Sequence, residues 1–362
     1  MIGLNGQRVY LDWNATAPLR SEARQAMLEA MDVVGNPSSV HAEGRAAKAI
    51  VEKARGQVAA LVGCDRDEVV FTSGATEAAA IWFYSRDTVN GAAFEHDAVF
   101  EQLSAKAFFA LIDAHEDGQA HLTEQAPSAL QAANSETGII QSAVGARTVG
   151  FCDATQIVGK RPYRFAGAAQ SAAATSAHKL GGPKGAGALV VAAGQDSYSA
   201  ASEGGGQEKG RRSGTENVIG IAGFGAAAEA AQRDLEAGVW DKVEKLRNIL
   251  EDALAETARE TIFFGQESPR LPNTSCFAVP GWKGETQVMQ MDLAGFAVSA
   301  GSACSSGKVN KASRVLLAMG FDEITASSAI RVSMGPTTIE AEVIAFADAW
   351  KNAYRRRRAR AA

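Results

Sequence analysis

Lys179 closes the run Ser176-Ala177-His178-Lys179, and Gly181-Gly182-Pro183-Lys184-Gly185 comes almost at once after it. The small residues at 168–174 suit a tightly packed strand, so this lysine stands where a strand gives way to Gly-rich backbone. An amine in a pocket at such a place can have a lowered pKa and form a Schiff base with an aldehyde. The Ser176 hydroxyl and the His178 imidazole, two residues apart, could both hold one phosphate. Pyridoxal phosphate carries an aldehyde and a phosphate, so a single turn could hold both ends of it. The same residues also suit an ordinary solvated loop, and the choice depends on the groups that other strand ends carry.

Several do carry polar groups. Residues 68–71 read as a buried strand that Thr72-Ser73-Gly74-Ala75-Thr76-Glu77 turns into a helix, an arrangement that aims backbone N–H groups at an anion or simply caps the helix. His96 comes after the short strand 92–94, where an imidazole could stack on an aromatic ring and move protons. Asp153 ends the strand 149–152 and could pair with a pyridinium nitrogen or act as a helix N-cap, and Gln156 could reach the ring's phenolic oxygen. Asn134-Ser135-Glu136-Thr137-Gly138 is a further polar strand end. The stretch 204–217 is Gly-rich, basic and hydroxyl-bearing, and the Ala-rich helix after it argues for an ordered loop that closes over an anion. Cys304 lies in Gly301-Ser302-Ala303-Cys304-Ser305-Ser306-Gly307, a setting for a reactive thiol or for an incidental loop cysteine. Arg331 sits among apolar neighbours in the strand 328–335 and needs a carboxylate or phosphate partner, which favours a substrate-carboxylate clamp.

The elements that must position these groups alternate between strand and helix. Helical patterns cover 21–31, with Ser21 as the candidate N-cap, then 42–62, 98–110, 217–233, 240–259 as a connector, and 284–293. Short strands are expected at 9–12, 130–133, 186–191, 273–279 and 296–299. His41 reads as a loop or interface residue, His115 and His121 as surface, and Cys276 as core. At 362 residues, 46% hydrophobic and 21% charged, the chain is an ordinary globular α/β protein of one large or two smaller domains. A net charge of -5 makes nucleic acid an unexpected partner. The four cysteines form no CxxC pair and no disulfide framework, which fits a reducing compartment. Neither a signal peptide nor a membrane span is expected, so the location expected is cytoplasmic.

The pieces and their order resemble the cysteine desulfurases of the NifS/IscS type, in the class V aminotransferase superfamily. The resemblance rests on Leu11-Asp12-Trp13-Asn14-Ala15-Thr16-Ala17-Pro18, Phe71-Thr72-Ser73-Gly74-Ala75-Thr76-Glu77, Glu95-His96, Asp153-Ala154-Thr155-Gln156, Ser176-Ala177-His178-Lys179, the stretch 204–215, Ser302-Ala303-Cys304 and Arg331. It implies a pyridoxal-phosphate fold-type I architecture with a mainly parallel, seven-stranded sheet. A large cofactor-binding domain would span 13–245, and a smaller α/β domain, 1–12 with 246–362, would carry the reactive cysteine. The resemblance further implies that Lys179 bonds the cofactor, Asp153 pairs with its ring nitrogen, His96 stacks on the ring and Gln156 meets the phenolic oxygen. Ala75, Thr76, Ser176 and His178 would bind the phosphate, with Thr215 reaching it from the other subunit of a homodimer. Arg331 and Asn134 would hold L-cysteine, and Cys304 would take its sulfur as a persulfide, leaving L-alanine. A sulfur-acceptor protein such as an iron–sulfur scaffold would then be the partner.

The sequence departs from the family in two places. The ring-contacting position usually held by the second of two asparagines is Ser135, and the stretch between Thr76 and Asp153 is short and Ala-rich. The alternatives are a selenocysteine lyase, another class V enzyme that eliminates or transaminates, or a non-catalytic accessory subunit that keeps the fold.

Overall fold

The computed structural model describes residues 3–4, 6–122, 128–144, 148–194, 204–301 and 312–361. Its central sheet runs in the order Phe108–Ile112, Thr88–Ala92, Val149–Asp153, Gln170–Ser176, Gly187–Val191, Val69–Thr72. Ala129 pairs in parallel with both Gly91 and Phe151 and so joins the two halves, occupying a seventh position in the sheet. Gly187–Val191 runs antiparallel to both of its neighbours, and every other pairing is parallel.

Period-two alternation gives the sheet two apolar faces. Ala172 and Ala174 join Val70, Phe151, Leu189 and Trp82 on one side, and Ala173 joins Phe71, Val190 and Phe224 on the other. The first face is covered by helix Ala75–Phe83, the second by Ala42–Val62 and Val218–Glu236. Alanine strands let the covering helices come close. Gly225 does the same between helices, since a Cβ there would stand 2.6 Å from Ala54 Cα.

A second, antiparallel sheet has the order Ser299–Ala300, Ala329–Ser333, Thr274–Ala278, Ile262–Phe263. Helices Val239–Thr257, Gly284–Leu293 and Glu340–Ala361 pack around it on a separate core that includes Leu250, Phe277, Ile330 and Trp350. Val9–Tyr10 pairs with Phe296–Ala297, and Asp12 bridges Ser333, so the first residues of the chain join this second unit.

The elements depart from the sequence reading at several points. The pattern at 98–110 is a helix only over Asp97–Ser104, and Phe108–Ile112 is a strand. The run of β-favouring side chains at 108–112 pairs with Thr88–Ala92 and does not continue the helix. That neighbouring strand ends at Ala92, so 93–94 lies beyond it. Of residues 130–133, Ala133 alone forms a bridge, an isolated one to Ile140. The single strand expected at 296–299 is two strands in different sheets. Arg20, not Ser21, is the N-cap of Ser21–Met31, and its side chain turns away to the Leu180 carbonyl and Asp234.

Candidate active site

The strand ends converge on one cleft of about 670 Å³. Ala75, Thr76, His96, Ser135, Asp153, Gln156, Ser176, His178 and Lys179 all line it. Lys179 sits in the 3-10 turn Ala177–Lys179 after strand Gln170–Ser176. Its Nζ donates to the carbonyls of Asn14, at 2.5 Å, and Ala15, at 2.9 Å. Asp153 ends the adjacent strand, where Oδ1 accepts from Thr155 N at 3.0 Å.

His96 caps helix Asp97–Ser104 by accepting from Ala98 N through Nδ1, at 3.1 Å. The neutral ring therefore carries its proton on Nε2. Gln156 is oriented at both ends: Oε1 accepts from Lys160 Nζ at 2.7 Å, and Nε2 donates to Asn14 O at 3.0 Å. Lys160 is buried, and its ammonium is held well below the usual lysine range by that burial and by the nearby Lys179 and Arg331.

One part of the cleft suits a phosphate. The nine-residue helix Ala75–Phe83 points its first turn there, and a Cβ on Gly74 would lie 3.7 Å from Ser176 Oγ. Burial first, then Lys179, Lys184 and His96, pulls His178 down to about 4. A bound anion would offset that crowding of positive groups, so these residues fit the phosphate of pyridoxal phosphate, while Lys179 fits its aldehyde and Asp153 its ring nitrogen.

The stretch 204–217 is held close by. Glu208, 6% exposed, accepts from Arg55 Nη1 at 2.7 Å, Arg55 Nη2 at 2.9 Å and Phe71 N at 3.0 Å. Glu208 and Lys209 take φ values of 48° and 58°, a left-handed backbone costing about 1–3 kcal/mol per residue. The buried Glu208 contacts stabilise that conformation. Arg212 Nε then donates to Glu77 Oε1 at 3.0 Å.

Other expected site residues fall elsewhere. Thr215 is exposed and does not line the cleft of its own chain. Asn134 is buried with its side chain spent locally: Oδ1 accepts from Glu136 N and Thr137 N, and Nδ2 donates to Phe94 O. Arg331 lies behind the lining, donating to Ser135 O at 2.9 Å and to Asp12 Oδ1 at 2.7 Å. Cys304 lies outside the described residues. Burial raises the pKa of each of the other three cysteines, Cys64 to about 12, which leaves them as thiols near neutral pH.

Sequence reasoning missed Asn14, which is 0% exposed. Its Oδ1 accepts from Lys160 Nζ and Asn273 Nδ2, and its Nδ2 donates to Ser135 O and Thr274 Oγ1. One side chain thus ties Thr274 of the second sheet to Lys160 and Ser135, beside Lys179. Asn14→Ala is expected to destabilise the cofactor-free protein by about 2–4 kcal/mol, because several buried partners lose their bonds together. An unchanged urea unfolding midpoint would contradict this. Gln131 and Lys184 also line the cleft without having been singled out. For Lys184 the signal was its place in the Gly-rich run after Lys179.

A class V aminotransferase family model matches residues 9–346. The chain belongs to that family. Within it, the chain is 37% identical to a cysteine desulfurase of Enterobacter agglomerans, over 93% of this chain and 90% of the relative. It is also 37% identical to one of Cereibacter sphaeroides, over 93% of each chain. Among solved structures, the NifS-like protein of Rickettsia africae ESF-5 superposes with a TM-score of 0.87 at 28% identity, covering 96% of this chain and 100% of that one. A second NifS-like protein gives 0.85 at 31% identity, with the same coverage.

Proposed function

We propose that the protein is a pyridoxal-phosphate-dependent cysteine desulfurase that takes the sulfur of L-cysteine and releases L-alanine. The observation that carries this reading is the convergence of Lys179, Asp153, His96, Gln156 and the phosphate-suited groups on one cleft. Pyridoxal phosphate, when bound, supplies the electron sink that loosens the substrate's Cα proton and then its Cβ–S bond.

The chain's own groups do the rest. Lys179 Nζ would anchor the cofactor and, when free, would move the substrate's Cα proton. With the cofactor bound, Asp153 would keep the ring nitrogen protonated, Gln156 would meet the phenolic oxygen, and His96 and Ser135 would face the ring. Ala75, Thr76, Ser176 and His178 hold the phosphate. Arg331, held behind the lining by Ser135 O and Asp12, would have to give up one of those contacts to clamp the substrate carboxylate, and Asn134 contributes by shaping the turn that presents Ser135. The Cys304 thiolate attacks the substrate sulfur, forming an S–S bond as Cβ–S breaks, and the bond electrons and a proton end in alanine. With L-cysteine stoichiometric to Cys304, one alanine forms per Cys304; a thiol reductant then frees the sulfur as sulfide. Equal alanine and sulfide from L-cysteine would support this, and sulfide without alanine would sink it.

Two domains, 13–245 and 1–12 with 246–362, are our reading of the separate cores. Among the described residues no helix is long and apolar enough to cross a membrane. We place the protein in the cytoplasm, handing its sulfur to an acceptor such as an iron–sulfur scaffold. We also read it as a homodimer in which Thr215 of one copy completes the phosphate site of the other. Support comes from large apolar side chains left in solvent between Leu28 and Val40, with Val34 82% and Val40 87% exposed. Val34→Asp with Val40→Asp is expected to halve the mass seen by light scattering and to weaken cofactor retention. An unchanged mass would remove this face from the interface.

A further inference from the structure

Glu136 is a buried carboxylate that the desulfurase chemistry does not use. It is 7% exposed and lies next to Ser135, which lines the cleft. Ser313 Oγ donates to Glu136 Oε2 at 2.5 Å while accepting from Leu316 N at 3.2 Å, so one hydroxyl both reaches Glu136 and caps helix Arg314–Ala318. From the other side, a Cβ built on Gly301 would stand 3.3 Å from Glu136 Oε2 and 3.6 Å from Ser313 Cβ. Gly301 and Ser313 flank the stretch 302–311, which carries Cys304 in the sequence. One carboxylate oxygen therefore sits where both flanks of that stretch meet.

The next residue adds a second tether. Arg314 donates to the carbonyls of Ala93 and Glu95 and, at 2.8 Å, to Asp97 Oδ1, on either side of His96, and its guanidinium stacks 3.8 Å from the Phe100 ring centroid. Burial pushes the Glu136 carboxyl up to about 7, against the pull of Ser313, Arg331 and Arg314. A carboxylate kept at that cost, with no place in the cleft lining, points to a positional task.

We propose that Glu136 is a positioning residue that fixes both flanks of 302–311 against the turn bearing Ser135, and so sets how the Cys304 sulfur is aligned with the substrate sulfur. This rests on the desulfurase reading. Misplacing a reacting group by about 1 Å can cost about 100-fold in rate. Glu136→Ala should therefore slow single-turnover alanine formation by about 10- to 100-fold. Glu136→Gln, which keeps the shape and can still accept from Ser313, should recover most of the rate. Ser313→Ala should fall between the two.

All are assayed as holoprotein, with the absorbance change on adding L-cysteine as the separate readout of substrate binding. Hydrogen exchange of peptides covering 299–301 and 312–317 is measured on the cofactor-free proteins. The expected result is normal cysteine-induced absorbance, slow alanine, and faster exchange at both flanks in Glu136→Ala. If Glu136→Ala does not fold, Glu136→Gln and Ser313→Ala decide by the same readouts. Wild-type alanine rates in Glu136→Ala would overturn the proposal. So would an absorbance change lost in step with alanine, which would move Glu136 to substrate binding. If the wild-type protein itself makes no alanine, the desulfurase reading fails, and unchanged exchange at both flanks would separately overturn the tethering.

Discussion

Lys179→Ala is expected to yield a protein that does not retain pyridoxal phosphate covalently and forms alanine about 10⁴-fold more slowly, the upper end for a positioned acid–base group. Two tasks fall on one amine, since Lys179 Nζ both anchors the cofactor and moves the Cα proton. The site is built around that nitrogen. Strand Gln170–Ser176 delivers it to the cleft, and the carbonyls of Asn14 and Ala15 hold it there. Lys184 also lines the cleft and is the amine to compare, so Lys184→Ala serves as the contrast. It should weaken phosphate binding while leaving the covalent link in place. The visible spectrum after dialysis, with alanine measured alongside, checks both variants. A Lys179→Ala protein that stayed yellow through dialysis and kept a tenth of wild-type turnover would remove Lys179 from its role.

Cys304→Ala should separate the two halves of the reaction. Cofactor binding and exchange of the substrate Cα proton with solvent deuterium should persist, because Lys179, Asp153 and His96 are untouched. Alanine and sulfide should fall by at least about 10³-fold, since the attacking sulfur is gone. The other cysteines offer no substitute. Cys152 and Cys276 are fully buried core residues, and burial holds Cys64 as a thiol with its pKa near 12. Full turnover by Cys304→Ala would exclude the persulfide step and make a lyase the better reading.

The misread segments show where local reasoning stopped. Residues 98–110 read as one helix, yet Phe108–Ile112 gains a parallel partner in Thr88–Ala92, and that pairing outweighs the local pattern. The strand expected at 296–299 divides because Phe296–Ala297 pairs with the start of the chain while Ser299–Ala300 pairs with Ala329–Ser333. Neither partner is near in sequence.

What the sequence determined by itself was local chemistry. A strand, a sharp turn and a helix write their own signature within about ten residues. Thr72–Glu77, Asp153–Gln156 and Ser176–Lys179 could therefore be picked out before any fold was known. The tertiary structure decided which groups share a buried volume. Asn14 became a hub because Thr274 lies 260 residues away in sequence and 2.9 Å away in space. Lys160 came to meet Asn14, and Glu136 came to meet Ser313, by the same kind of encounter. Burial is a property of the packed chain, and the cost of leaving a buried polar group without a partner acts only once the sheets have met.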